Sequence, residues 1–206
     1  MKLYDFPFSP NCRKVRAVAY ELGIALDHVH VDLLREEQRT PAFLARNPNG
    51  RVPVLEDGDF ILWESTAIQR YLAAGTSLVP SDRRAAAEVD RWLAWQVAHM
   101  APALRKVAFE RIVKPASRRG APDQAQIDAG IAEVAEVSAV LDRELGGREY
   151  VAGRLSIADF ALAAHYSLAP ACGIDLTGFE RLEAWLARVL ARDSMKRALA
   201  DAQAAP

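Results

Sequence analysis

The sequence predicts two unlike domains, an α+β domain over residues 1–75 and an all-α domain over residues 82–206, joined by a linker at 76–81. Three observations carry this. Strand and helix signals alternate as far as Gly75. The stretch Gly75-Thr76-Ser77-Leu78-Val79-Pro80 has turn formers in place of any period. Beyond it no strand alternation recurs. At 206 residues the chain can form one large domain or two small ones.

In the first part, Lys2-Leu3-Tyr4 reads as a short strand. Cys12 to Leu22 follows as a helix with Val15, Val18, Ala19 and Leu22 on one face and Gly23 at its C-terminal end. His28-Val29-His30-Val31 alternates as a strand should, and Thr40-Pro41 supplies an N-cap and first-turn proline for a short helix through Phe43 and Leu44. Val54-Leu55-Glu56 and Phe60-Ile61-Leu62-Trp63 flank the hairpin signal Asp57-Gly58. A helix from Ser65 through Ile68, Tyr71 and Leu72 closes the order βαβ, helix, ββ, helix.

In the second part, Ser81-Asp82 opens a long helix bearing Val89, Trp92, Leu93, Gln96 and Met100, bent near Pro102. Lys114 to Pro122 reads as a basic connection, and Arg105, Lys106, Arg111, Lys114, Arg118 and Arg119 as a solvated face. Ile127, Ile131, Val134, Leu141 and Leu145 form a helical stripe ending at Gly146-Gly147. Helices from Ile157 to about Ala171, from Glu180 to Ala191 and near Met195 to Leu199 complete the part, and the alanine-rich tail is expected to fray. Ser156-Ile157-Ala158-Asp159-Phe160 is a capping box: Ser156 caps, Asp159 reaches back to the cap amide and Leu155 staples onto Phe160. The cap alone is worth about 1 kcal/mol, and its role is folding rather than chemistry.

A balance of 26 basic against 27 acidic residues argues against nucleic acid or a membrane surface as a partner recognised by bulk electrostatics. The first residues lack an apolar signal-peptide core, and no later segment is long and apolar enough to span a bilayer. Cys12 and Cys172 are too few for a disulfide scaffold and have no metal-like spacing, so no metal is expected and a reducing cytoplasm is the expected location.

The most informative stretch is Gly50-Arg51-Val52-Pro53-Val54-Leu55, followed by Trp63-Glu64-Ser65. A proline between valines removes a ladder donor from what otherwise reads as a strand. A tight cis turn at Val52-Pro53 resolves the conflict and leaves the amide and carbonyl of Val52 free to bind something extended. Glu64-Ser65 adds a carboxylate and a hydroxyl at a helix start, where backbone amides point outward. For either motif alone, an edge-strand proline or a plain N-cap is an adequate account. Their conjunction points to a site for a small peptide.

With these residues the chain resembles the cytosolic glutathione transferases over nearly its whole length. The resemblance rests on Asn47-Pro48-Asn49-Gly50-Arg51-Val52-Pro53, on Leu62-Trp63-Glu64-Ser65 with Ala67-Ile68 and Tyr71-Leu72, and on the Ser156 to Asp159 box. It implies a thioredoxin-like first domain, an all-helical second domain and glutathione as co-substrate. It also implies that the Val52 backbone, beside Pro53, pairs antiparallel with the cysteinyl part of glutathione, and that Glu64 and Ser65 hold the γ-glutamyl amine and carboxylate. Gln38, with Arg39 as the alternative, matches the segment that meets the glycyl carboxylate, and Arg51 is also placed for a carboxylate. Ordinary loop polarity accounts for Gln38 and Arg39 as well.

Ser9-Pro10-Asn11-Cys12 lies between the first strand and first helix, where thioredoxin-like folds put the reactive group because helix N-terminal amides stabilise an anion. The spacing is that of a Cys-x-x-Cys motif with Ser9 in the first place. Tyr4 to Ser9 with Cys12-Arg13 resembles the serine-type classes, such as theta and phi. That implies Ser9 as donor to the bound thiolate, with Asn11 assisting. The rivals are Ser9 as a mere cap, Tyr4 as the activating hydroxyl, and Cys12 as a thiol forming mixed disulfides. The resemblance further implies an electrophile pocket with Phe8, His99 and Met100, although a core histidine explains His99 equally. Trp92 and Trp95 read as packing residues.

The resemblance thus implies an enzyme that transfers glutathione to a small hydrophobic electrophile in detoxification, and a two-fold homodimer in which the first domain of one chain meets the second of the other. Glutathione-dependent disulfide or peroxide reduction, and a non-catalytic glutathione-binding scaffold, are the alternatives. Zeta-type isomerisation is disfavoured because its Ser-Ser-Cys signature is absent around Ser9.

Overall fold

The computed structural model describes residues 1–203, and any fraying of the tail beyond them lies outside the described residues. The chain divides into two compact units, Met1–Val79 with the described residues from Ala191, and Pro80–Leu190. The terminal helix therefore groups with the first unit, whereas the sequence reading had placed it with the second.

The first unit runs β1 (Lys2–Asp5), α1 (Pro10–Glu21), β2 (Asp27–His30), a 3₁₀ turn (Glu37–Arg39), α2 (Pro41–Leu44), β3 (Val54–Asp57), β4 (Phe60–Trp63) and α3 (Ser65–Ala73). Its four strands lie in the order β2-β1-β3-β4. β1 pairs parallel with β2 (Leu3 opposite His28) and antiparallel with β3 (Leu3 opposite Leu55), and β3 pairs antiparallel with β4 (Val54 opposite Trp63). This mixed sheet with its helices is the thioredoxin-like arrangement. Ser9 caps α1, Pro10 takes its first turn, and Gly23 leaves it at φ +67°, where a side chain is strained.

α1 is buried on every side from Cys12 to Ala19, its cations included. The guanidinium of Arg16 donates to both Asp5 oxygens (2.6 and 2.7 Å) and to the carbonyls of Pro7 (2.8 Å) and Ala198 (3.2 Å). The terminal helix, α10 (Asp193–Gln203), which follows the second unit in the chain, packs on α1 and brings Asp201 to 3.0 Å from Arg16 Nε. Burial pushes the Asp5 carboxyl up, but the hydrogen bond from His28 and the charge of Arg16 outweigh it and hold the group below its ordinary value. Arg192 and Ser194 both reach Glu21, the latter at 2.6 Å. The helix stays with the first unit because its carbonyl and carboxylates complete the partners of α1.

The second unit is helical throughout its regular structure: α4 (Arg83–Trp95), a π-helical turn (Gln96–Met100), α5 (Ala101–Ala108), a second π-helical turn (Phe109–Val113), α6 (Lys114–Ala116), α7 (Gln124–Glu144), α8 (Ile157–Tyr166) and α9 (Glu180–Leu190). The bend expected near Pro102 takes the form of the π turn just before it, since proline has no N–H to donate into a regular turn. Helix persists to Ala116 where the sequence suggested a connection from Lys114. The basic residues there are partly spent: Arg111 donates to the carbonyls of Cys172 and Gly173, Lys106 pairs with Glu133 and Lys114 with Glu110. Buried Asp159 accepts from Ser156 N (2.9 Å), Val151 N (3.0 Å) and Trp185 Nε1 (2.9 Å), so the box is structural as its sequence implied. Among the described residues no helix is long and apolar enough to cross a membrane.

Candidate active site

The first unit gathers three sequence-distant segments: the start of α1, the loop before β3, and the start of α3. The loop before β3 is organised by Asn47, whose Nδ2 donates to the Arg51 carbonyl (2.7 Å) and whose Oδ1 accepts from Asn49 N (3.0 Å). Gly50 follows at φ +58°. A Cβ there would lie 2.8 Å from the Arg39 guanidinium and 3.0 Å from the Gln38 carbonyl. Only glycine lets the 3₁₀ turn carrying Gln38 and Arg39 close onto this loop. Gln38 is half-buried, and its buried Oε1 has no hydrogen-bond partner among the described residues. Arg39 and Arg51 are exposed.

The Val52–Pro53 peptide is cis. Pairing of β3 with β1 begins only at Val54, and the backbone N–H and C=O of Val52 take no partner among the described residues. The Val52 side chain packs against the cluster of Val31, Phe43 and Val54. Its position is therefore fixed while its polar edge stays unpaired.

Glu64 is exposed and sits at φ +73°, ψ 107°, immediately before α3. A non-glycine residue in such a conformation costs of order 1–3 kcal/mol and persists where the surroundings enforce it, commonly at a functional site. The first N–H groups of α3 lack intrahelical acceptors and face an anion favourably. The Ser65 hydroxyl donates to Asn11 Oδ1 at 3.3 Å, joining this helix start to that of α1.

At the start of α1, Ser9 Oγ accepts from Cys12 N at 3.4 Å, a long contact that leaves its O–H able to donate elsewhere. Phe8 beside it is 53% exposed and stacks obliquely on Phe6. Cys12 has no exposed surface. Burial first, and then the charge of Asp5, push its thiol well above the usual cysteine range. The Tyr4 hydroxyl is spent on Glu56 (2.9 Å), with Arg46 stacked over its ring. Both rivals to Ser9 are thus committed to packing or pairing.

On the second unit, His99 is exposed, whereas Met100 is fully buried on the π turn and offers no surface to a free molecule. Trp92 and Trp95 meet edge to face at 5.3 Å, as packing residues do. Among the described residues no group of three or more His, Cys, Asp or Glu side chains could hold a metal.

Sequence reasoning missed Lys14 and Thr66. Lys14 is wholly buried and its Nζ donates to Thr66 Oγ1 at 2.9 Å. Its place beside the apolar positions Val15 and Val18 was the available signal, but a lysine between two arginines reads as solvated charge.

Residues 3–78 match the glutathione S-transferase N-terminal domain, and residues 100–193 match the C-terminal domain of the same family. Glutathione S-transferase 3 of Zea mays is 38% identical over 177 residues, covering 83% of this chain and 77% of its own. Among solved structures, glutathione transferase F7 from Populus trichocarpa superposes with a TM-score of 0.89 at 30% identity, covering 98% of each chain. The theta class glutathione S-transferase of Xanthomonas axonopodis pv. citri, solved with glutathione bound, does so with a TM-score of 0.89 at 32% identity, covering 96% of each chain. With both domains matched in order, this chain belongs to the glutathione S-transferase family and is a glutathione-using transferase.

Proposed function

We propose that this transferase holds glutathione along the start of α1, the Val52 edge and the start of α3, and ionises its thiol with Ser9. The observation that carries the reading is the place of Ser9: its hydroxyl caps the N-terminus of α1, accepting from Cys12 N at a long 3.4 Å. A thiolate beside it gains one hydrogen bond and the positive end of the helix dipole, and both favour the anion. The Asn11 amide nitrogen, which has no partner among the described residues, is a second donor. The thiolate then attacks an electrophilic carbon of a small hydrophobic compound. A C–S bond forms, and the electron pair leaves with the displaced group or collects on the conjugated acceptor.

The remaining contacts follow from unpaired groups. Val52 offers N–H and C=O to the cysteinyl backbone, while Glu64 meets the γ-glutamyl amine. The amides of the α3 start meet its carboxylate, since the Ser65 O–H is already turned to Asn11. Gln38, Arg39 and Arg51 serve the glycyl carboxylate, and Phe8 gives an apolar wall beside the sulfur. Reduction through Cys12 is disfavoured by its burial and raised thiol pKa. Two free cysteines suit a reducing cytoplasm, and the reaction class suits detoxification of reactive compounds.

We also read the protein as a homodimer. β4 is an edge strand, Phe60 on it packs on Tyr71 of α3 at 5.4 Å, and Phe60, Ile61, Trp63 and Tyr71 are each 38–46% exposed, apolar surface that a monomer would leave wet.

The test is Ser9→Ala against Cys12→Ser. Ser9→Ala should keep glutathione affinity and lose about 10²-fold in turnover near neutrality, the scale for removing a preorganised donor, with the loss shrinking as pH rises. Full activity in Ser9→Ala with abolished activity in Cys12→Ser would move the chemistry to the thiol.

A further inference from the structure

We propose that Lys14 is a positioning residue for the γ-glutamyl end of the site: its buried amine, gripping Thr66, holds the first turn of α3 and the strained Glu64 where glutathione meets them. The inference rests on the reading above that Glu64 and the start of α3 hold the γ-glutamyl group.

Lys14 touches α3 at two levels. Its Nζ donates to Thr66 Oγ1 at 2.9 Å, and its backbone carbonyl accepts from Gln69 Nε2 at 3.2 Å. Lys14 and Gln69 are both fully buried, so the clamp lies beneath the helix. It acts at the place where the backbone needs support. Glu64 makes no side-chain cap bond and holds φ +73°, which its neighbours must impose. Lys14 also attracts the Glu64 carboxylate electrostatically.

Burying an ammonium is costly, and an unbranched apolar side chain of similar volume would pack there without that cost. Burial pulls the Lys14 amine down to about 7, with Glu64 opposing the shift. The nearby Arg16 is taken by Asp5 and Asp201. A buried amine that donates to the second residue of α3, next to Glu64 and Ser65, is placed to hold that helix start.

The experiment uses full-length Lys14→Met, Thr66→Val and the double variant. Titrations use S-methylglutathione, whose blocked thiol removes thiol ionisation from the signal. Lys14→Met should bind it about tenfold more weakly, the scale of a lost charge-assisted hydrogen bond, and the KM for glutathione should rise by a similar factor. Turnover at saturating glutathione should stay within about twofold, and the melting temperature should hold or rise, as it does when an apolar side chain replaces a buried charge. Thr66→Val should reproduce the affinity loss, and the double variant should lose no more than either single one. Wild-type affinity in Lys14→Met, or additive losses in the double variant, would overturn the proposal. If Lys14→Met does not fold, wild-type affinity in Thr66→Val overturns it alone. Glu64→Ala separates the two levels: unchanged affinity there sinks the site assignment, whereas weakened Glu64→Ala with unchanged Lys14→Met sinks only the positioning role.

Discussion

The Ser65 hydroxyl donates to Asn11 Oδ1 at 3.3 Å, so the helix start assigned to the γ-glutamyl group and the helix start assigned to the thiol are joined by one hydrogen bond. The two residues stand 54 positions apart in the chain. On the proposed reading, this bond links substrate binding to thiol activation.

From this link, Ser65→Ala should lower turnover at saturating glutathione by removing the partner of Asn11, and should weaken glutathione binding by only about 1 kcal/mol, the scale of one neutral hydrogen bond. Asn11→Ala should lower turnover too, and the double variant should lose less than the sum of the singles, as contacting residues do. Calorimetric titration with steady-state kinetics measures both. Additive losses would mean that the bond carries no coupling.

Lys14 predicts a stability profile. Its pKa falls from 10.5 to about 7 on folding, so between those values the unfolded chain holds a proton that the folded chain has released. Stability contributed by this group therefore rises with pH across that window, by up to roughly 1.4 kcal/mol per pH unit, and the penalty is complete below pH 7. The advantage of Lys14→Met over the wild type in urea unfolding should be largest at pH 6 and shrink steadily toward pH 9. A constant difference over that range would show that the amine does not titrate as described.

The pair Asp5–Arg16 gives the opposite sign. The folded pKa of Asp5 is depressed, so its contribution is present above the unfolded carboxylate value near 4 and is lost as pH falls through the folded one. Asp5→Asn should leave buried Arg16 with only the partly exposed Asp201 as countercharge and cost up to about 3–5 kcal/mol at pH 7. The gap to wild type should narrow as pH falls below about 4 and close once the folded Asp5 is itself protonated. Urea unfolding at pH 7 and at pH 3 supplies the comparison.

The exposed patch on β4 and α3 predicts association. Trp63→Asp together with Phe60→Asp should convert a dimer to a monomer at micromolar concentration in light scattering, because charged groups at the centre of an apolar interface are costly to desolvate. A wild-type monomer at that concentration would remove the homodimer from the reading.

Much of this protein was legible in the chain itself. Turn and cap chemistry is local, so Pro53 after Val52, Gly50, Asp57-Gly58, Thr40-Pro41 and the Ser156–Asp159 box each signalled their own geometry within a few residues. Periodicity separated the strand-bearing part from the helical one. The same local logic placed Ser9 at a helix start and Glu64-Ser65 at another.

What only the tertiary structure decided depends on residues far apart in sequence. Nothing local marks Arg13, Lys14 and Arg16 as buried, yet α1 is enclosed on all sides, because Asp5, Asp201, Thr66 and the Ala198 carbonyl arrive from β1, α10 and α3 to receive two of those cations. No window of sequence contains those partners. The same holds for α10, which joins the first unit through Arg16 and Glu21, and for Met100, which is fully buried on a π turn. Sequence fixes where a helix begins and which way a turn closes, since those depend on neighbours in the chain. Which charges are buried depends on what else folds against them.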